Sequence, residues 1–366
     1  MEIEPFLQMM VKQGASDLFF SVNAPPCIKV EGVTSHMNQD ALSPDETMQL
    51  AYSVMNKKQI ETFEETLEMD VAISRKSLGR FRINIFRQRG DISIVVRHIT
   101  ANIRTVAQLN LPSQLNELVM EKRGLILIVG STGAGKSTTL AAMIDHRNRN
   151  KTGHILTIED PIEYDHPHQQ SIVNQREVGL DTHSFASALK RAMREAPDII
   201  MIGEIRDQES MHQAICYADT GHLCLSTLHA NNASQALERI IKFFPEQSQQ
   251  QLLMDLSMNL KAIISQRLVV GVDKKQVPAV ELMLNTPYIA SMIQKGEIDK
   301  VSEAMEHSNN MGMQSFDQAL YKLFKSGKIS EEEALSHADS RNNLGVRIRL
   351  ARDSKVPAVD SGLSFQ

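Results

Sequence analysis

The stretch GSTGAGKST at residues 130–138 has the composition of a loop that cradles a phosphate chain. Gly130, Gly135, Lys136 and Ser137 fit the pattern G-x-x-x-x-G-K-[ST]. Glycines in such a loop let backbone N–H groups turn inward, and the start of a following helix adds its positive dipole end. Ser131, Thr132, Gly133, Ala134, Gly135, Lys136, Ser137 and Thr138 are therefore the expected nucleotide contacts. Lys136 would reach the β- and γ-phosphates, and the Ser137 hydroxyl would ligate Mg²⁺. The plain alternative is a glycine-rich turn with no ligand. Context argues against it, because the apolar run GLILIVG precedes the loop and the helix-forming TTLAAMIDHRN follows.

Carboxylates come next. ILTIEDPIEY, residues 155–164, sets Glu159, Asp160 and Glu163 at the C-terminal end of an apolar strand, the edge where open α/β sheets bind ligands. DIIMIGEIRD ends a second strand with Glu204. The strand that helps hold Mg²⁺ usually ends in Asp; here Gly203 stands near that place and Glu204 follows. Glu204 is read as the carboxylate that orients the attacking water and organises the Mg²⁺ shell through water, with Glu163 able to share the work. Glu159 and Asp160 have a second reading, an acidic turn before Pro161 that caps a loop. Asp198 begins its strand at the opposite edge and is read as structural.

TGHLCLSTLHANNA, residues 220–233, holds His222, Cys224 and His229. As one strand rising about 3.3 Å per residue, it separates the two histidines by roughly 23 Å and turns them to opposite faces. They cannot share a metal, and two ligands fall short of a zinc site. Cys224 is expected in the core. His229 lies at the C-terminal end, placed to touch the γ-phosphate or the attacking water. His222 lies at the other end, as a packing or subunit contact or as a catalytic group.

Positioning these residues takes an α/β sheet. GLILIVG, HILTIED, DIIMIGE and HLCLSTLH are nearly continuous apolar runs, as expected of parallel strands buried on both faces. MNLKAIISQRLVVGV reads as helix then strand, and SEEEAL near 330 reads as a capping box with Ser330 and Glu333. Upstream, a helix around IEPFLQMMVKQG, strands at SDLFFSV and IKVEGV, a helix from Ser43-Pro44, and three strands between 69 and 99 make a smaller α+β region. Arg89-Gly90-Asp91 is read as a turn between two of those strands rather than an adhesion motif. The expected organisation is residues 1–100 as that domain, 101–112 as linker, 113–285 as the ATPase core, 286–350 as a helical segment and 351–366 as a disordered tail.

The 366 residues carry a formal net charge of −5, three dispersed cysteines and no tryptophan. These features speak against a disulfide scaffold and against a single-strand nucleic-acid translocase. The acidic, amphipathic N-terminus is a poor signal peptide, and the apolar runs are too short to span a bilayer. A cytoplasmic protein is expected. No LSGGQ-like sequence marks a transporter ATPase.

In order and spacing, GSTGAGKST, IEDPIEY, GEIRD and TGHLCLSTLHANNA resemble the four boxes of the secretion-type ATPases of type II secretion and type IV pili. GASDLFF…APPCIKVEG and NNMGMQSFDQALYKLFKSGKIS resemble the retraction branch, the PilT/PilU family. The segment NTPYIASMIQKGE lacks the arginines and final Arg-Glu of the PilT type, and with the ending ISEEEALSHADSRNNLGVRIRL it points toward the PilU type. The resemblance implies a PAS-like N-terminal domain joined to a RecA-like P-loop ATPase domain, ATP and Mg²⁺ as cofactors, and a homohexameric ring. It implies a PilT-type principal motor and an inner-membrane platform protein as partners. The ring would sit at the cytoplasmic face of that membrane and touch it only through them. The rival function is an interaction or assembly partner of the principal motor with slow hydrolysis.

With Arg89-Gly90 as a two-residue hairpin loop, Arg82 falls opposite Arg97 on one sheet face. Like charges so opposed destabilise a sheet, and an anion between them would relieve it. The triphosphate is the candidate, with Arg82 and Arg97 as arginine fingers; the alternative is a pair of solvated surface arginines. Arg194 and Arg206 are further candidates for coupling between sites.

Overall fold

The structure is a computed structural model and describes residues 2–307 and 312–353, with only the backbone of the last two. By contact the chain divides into two units. The first comprises Met1–Ile103 with Glu159–Pro167 and Gln175–Ser184, and the second Arg104–Ile158, His168–Asn174 and Phe185–Gln366. The expected boundaries put 159–167 and 175–184 in the ATPase core, whereas their contacts group them with the N-terminal residues.

The first unit runs α1 (Glu4–Lys12), β1 (Asp17–Phe20), β2 (Cys27–Val30), β3 (Val33–His36), α2 (Pro44–Ser53), α3 (Lys57–Thr66), β4 (Glu68–Arg75), β5 (Gly79–Gln88) and β6 (Asp91–Ile99). Its six-stranded sheet has the order β3-β2-β1-β6-β5-β4. IKVEGV is not one strand: Glu31 and Gly32 both take positive φ, so the chain folds back as the β2–β3 hairpin. Arg89 and Gly90 do the same between β5 and β6, and the expected register follows, with Gln88 opposite Asp91 and Arg82 opposite Arg97. The core holds Leu7, Met10, Leu18, Phe20, Leu50, Phe63, Phe81, Ile83, Ile85 and Ile94. α3 escaped the sequence pattern because Phe63 is its one buried side chain; its Asn56–Gln59 capping box starts it.

The second unit follows as α4 (Gln114–Val119), β7 (Gly124–Val129), α5 (Lys136–Asn150), β8 (Gly153–Glu159), β9 (Ser171–Glu177), α6 (Phe185–Ala192), β10 (Ile199–Ile202), α7 (Gln208–Asp219), β11 (Leu223–Leu228), α8 (Ala233–Lys242), α9 (Glu246–Asn259), β12 (Leu260–Val270), β13 (Gln276–Leu284), α10 (Pro287–Lys295), α11 (Val301–His307), α12 (Phe316–Lys325), α13 (Glu331–Ser336) and α14 (Arg341–Asp353). The sheet order is β13-β12-β7-β11-β10-β8-β9. β8, β10, β11, β7 and β12 pair in parallel, and β13 closes the edge antiparallel. Every residue of β7, β10 and β11 is buried, which is why they read as nearly continuous apolar runs.

β9 and β13 lack that signature. β9, SIVNQRE, has only Ile172 and Val173 as apolar residues, with Ile172 exposed, and β13 carries Pro278 and Glu281. The expected capping box at α13 is half formed. Ser330 accepts from the Glu333 N–H, but the Glu333 carboxylate accepts from the Val270 N–H at 2.6 Å instead of returning to Ser330. α14 continues through Asp353, so residues 351–353 of the expected tail are helical; the remainder, 354–366, lies outside the described residues. Among the described residues no helix is long and apolar enough to cross a membrane.

Candidate active site

Three neighbouring strands of the second unit deliver the site. Val129 at the end of β7 pairs with Leu228 at the end of β11, and Ser226 of β11 pairs with Ile202 of β10. The phosphate loop, His229 and Glu204 therefore leave one edge of one parallel sheet on adjacent strands, about 5 Å apart. Side-chain bonds tie the strand ends together. The Thr227 hydroxyl donates to the Gly203 carbonyl at 2.7 Å, and the Ile205 N–H to the Thr227 carbonyl at 2.9 Å.

The loop is shaped by its own glycines and by β12. Gly133 and Gly135 take φ of 79° and 86°, the left-handed region that side chains resist. A Cβ on Gly130 would sit 2.6 Å from the Gln266 carbonyl oxygen, and one on Gly135 2.9 Å from Gln266 Nε2. Beyond Gly133, by contrast, a Cβ would meet nothing within 4 Å, so the loop is packed on the β12 side and open at Gly133. Ser131, Thr132 and Gly133 are exposed, Ala134 is buried beneath, and Lys136, Ser137 and Thr138 form the half-buried first turn of the 15-residue α5. Lys136 Nζ donates to the carbonyls of Gly130 and Ser131, both at 2.9 Å. An open loop lined by a helix N-terminus and an ammonium fits a phosphate chain. Among the described residues no three or more His, Cys, Asp or Glu side chains gather to hold a metal ion by themselves. Ser137, in the first turn of α5, places a hydroxyl oxygen beside the loop, the kind of hard donor that Mg²⁺ takes together with phosphate oxygens.

Glu204 is engaged at both oxygens. Arg206 Nε donates to Oε2 at 2.8 Å, and His229 Nε2 lies 3.2 Å from Oε1. Arg206, considered from the sequence for coupling between sites, thus stands on the carboxylate itself; its place two residues beyond Glu204 was the available signal. Asp207 then caps α7 by accepting from the Ser210 N–H at 2.8 Å. The remaining histidine, His222, lies at the far end of β11 beside Thr220 Oγ1 at 3.2 Å, and Cys224 is fully buried between them. Asp198 accepts from the His154 N–H at 2.8 Å, a structural contact, and Arg194 lies in the turn before β10, at the strand's other end.

The other expected residues lie in the first unit. Glu159 is buried and accepts from Gln175 Nε2 at 3.0 Å, while Asp160 and Glu163 are exposed. Arg82 and Arg97 do face each other, but the strands beside them supply counter-charges. Arg97 Nε donates to Asp17 at 2.8 Å, and Arg82 stands 3.6 Å from Asp70. An anion is not needed to relieve the pair, which corrects the reasoning from repulsion. Arg80 shares that face of β5 and stands 3.5 Å from the buried Glu177. Burial pushes the Glu177 carboxyl up, and Arg80 and Arg82 oppose the rise.

The model of the family described as type II/IV secretion system protein matches residues 1–326. The type IV pilus ATPase PilU of Pseudomonas aeruginosa is 52% identical across all of this chain and 97% of its own length. The chain belongs to the PilT/PilU family of secretion ATPases. The type IV pilus retractation ATPase PilT of the same organism is 40% identical over 94% of this chain and all of its own. The crystal structure of the pilus retraction motor PilT with bound ADP superposes with a TM-score of 0.87 at 41% identity, covering 94% of this chain and 99% of that one. The fold is thus the RecA-like ATPase fold with a smaller N-terminal α+β domain that the resemblance implied. Membership makes this a pilus retraction ATPase of that family.

Proposed function

We propose that the chain is a Mg²⁺-dependent ATPase motor of type IV pilus retraction, of the PilU accessory type, working as a homohexamer. The observation that carries this is the convergence of the phosphate loop, Glu204 and His229 on adjacent strand ends, together with 52% identity to PilU along the whole chain. Lys136 exchanges the carbonyls of Gly130 and Ser131 for phosphate oxygens. Ser137, and Glu204 through water, hold Mg²⁺, which when bound supplies charge neutralisation at the phosphates. Glu204 orients the attacking water, and His229, in contact with Glu204, senses whether the γ-phosphate is present; Glu163 assists. Arg82 and Arg97 act as arginine fingers on a neighbouring subunit's nucleotide, trading Asp70 and Asp17 for phosphate. The PilT-type motor and an inner-membrane platform protein are the partners, at the cytoplasmic face.

Two measurements test this. Glu204→Gln lowers the hydrolysis rate by about 100-fold while ADP binding persists; a wild-type rate would overturn the assignment. The rate per subunit rises with protein concentration and then saturates; a flat, substantial rate from demonstrable monomers would remove the ring and its trans arginines. One observation favours a second reading. Both Glu204 oxygens are already taken by Arg206 and His229, so a chain that keeps this trio intact would hydrolyse slowly and serve as an assembly partner of the principal motor.

A further inference from the structure

Three consecutive residues of β12 reach three different parts of the second unit. Ser265 donates its hydroxyl to Glu281 Oε1 at 2.7 Å, and the same oxygen accepts the N–H of Ala233, the first residue of α8, at 2.7 Å. Gln266 accepts from the Thr139 hydroxyl at 2.6 Å, and its carbonyl is what a Cβ on Gly130 would strike. Arg267 donates to the Asn231 carbonyl at 3.3 Å, to the His337 carbonyl at 2.8 Å and to Asp339 at 2.6 Å, with its guanidinium 3.8 Å over the Phe316 ring.

Glu281 and Arg267 thus grip the turn after His229 from both ends. The Asn231 carbonyl goes to the arginine and the Ala233 N–H to the carboxylate, while the Asn232 side chain caps α8 between them. A carboxylate 3% exposed has no solvent to turn toward, and the start of α8 favours its charge. Arg267 spends the rest of its donors on the α13–α14 connection. That connection is itself anchored, since Asp317 accepts the N–H groups of Asp339 and Ser340 at 2.8 and 3.0 Å.

We propose that Glu281 and Arg267 are positioning residues of the ATPase site, and that through Arg267 the helices α12–α14 set how firmly the turn carrying His229 is held. The inference rests on His229 acting at that site. A shift of the α13–α14 connection withdraws Asp339 and the His337 carbonyl from Arg267, and the Asn231 carbonyl loses its donor. A partner that binds these helices would thereby change turnover without touching nucleotide.

The test uses the full chain and measures kcat and KM for ATP with Mg²⁺ in excess, with a melting curve for each variant. Asp339→Asn keeps the fold and lowers kcat about 5-fold with KM changed less than about 2-fold. Arg267→Lys lowers kcat further, about 20-fold, and Asp339→Asn added to it costs nothing more, because Asp339 acts through Arg267. Glu281→Leu behaves like Arg267→Lys, and Glu281→Gln, which keeps an acceptor oxygen, recovers most of that loss. Wild-type kcat in Asp339→Asn, or effects of Asp339→Asn and Arg267→Lys that multiply, would overturn the coupling. His229→Ala separates the two levels. If it keeps the wild-type rate, the reading of the site falls and the positioning role with it; if it loses the rate while Asp339→Asn and Glu281→Leu do not, only the positioning role falls.

Discussion

Glu281 also makes a prediction about stability. It is buried to 3% exposure, and desolvation pushes its carboxyl from the ordinary 4.5 up to about 7, against the hydrogen bonds from Ser265 and Ala233. Asp339 adds to the rise and Arg267 opposes it. Between those two pH values the folded chain holds a proton that the unfolded chain has released, so stability falls as pH climbs. The contribution is complete below about 4.5 and gone above about 7, a loss of about 3 kcal/mol. Glu281→Gln keeps an acceptor oxygen and has nothing to titrate, so it escapes the loss. Asp339 and Arg267 are present in both proteins and cancel in the difference. The melting temperature of Glu281→Gln relative to wild type should therefore rise from pH 5 to pH 8 by about 6 °C for a unit of this size. Scanning calorimetry at half-unit steps of pH follows it. Parallel curves across that range would refute the reasoning, since they would mean that Glu281 is ionised throughout.

Other consequences follow from the same packing. Gly130→Ala drives a Cβ to 2.6 Å from the Gln266 carbonyl, and should cost about 2 kcal/mol in urea unfolding and abolish ADP binding, readable by fluorescence titration. Tyr217 is fully buried and its hydroxyl donates to the Leu189 carbonyl, so Tyr217→Phe strands that acceptor and should cost about 1–3 kcal/mol in the same assay. Burial pushes the Cys224 thiol far up, so native alkylation with iodoacetamide should leave Cys224 unmodified until denaturant is added, as peptide mass spectrometry would show.

Local pattern carried much of this protein. Strands buried on both faces announce themselves as apolar runs, and the phosphate loop declares its chemistry because only glycines permit its backbone. The β5–β6 register followed from the Arg89-Gly90 turn alone, since side-chain alternation and loop length leave one pairing. Long-range partners were beyond that reading. The opposed Arg82 and Arg97 suggested an anion, but Asp17 and Asp70 arrive from strands whose neighbours only the sheet order sets. β13 looked unlike a strand because its place is an antiparallel edge, where Pro278 is tolerated and Glu281 finds donors.

By itself the sequence determined where a phosphate-loop pattern lies, which carboxylate and histidine end the strands beside it, and to which family the pattern leads. Tertiary structure alone decided that Arg206 and His229 share Glu204, that Glu281 is buried at a helix start, and that Arg267 joins the His229 turn to α12–α14. The reason is physical. A loop's conformational freedom and a strand's hydrophobicity are properties of neighbouring residues, whereas the state of a charge depends on partners and solvent brought to it from dozens of positions away.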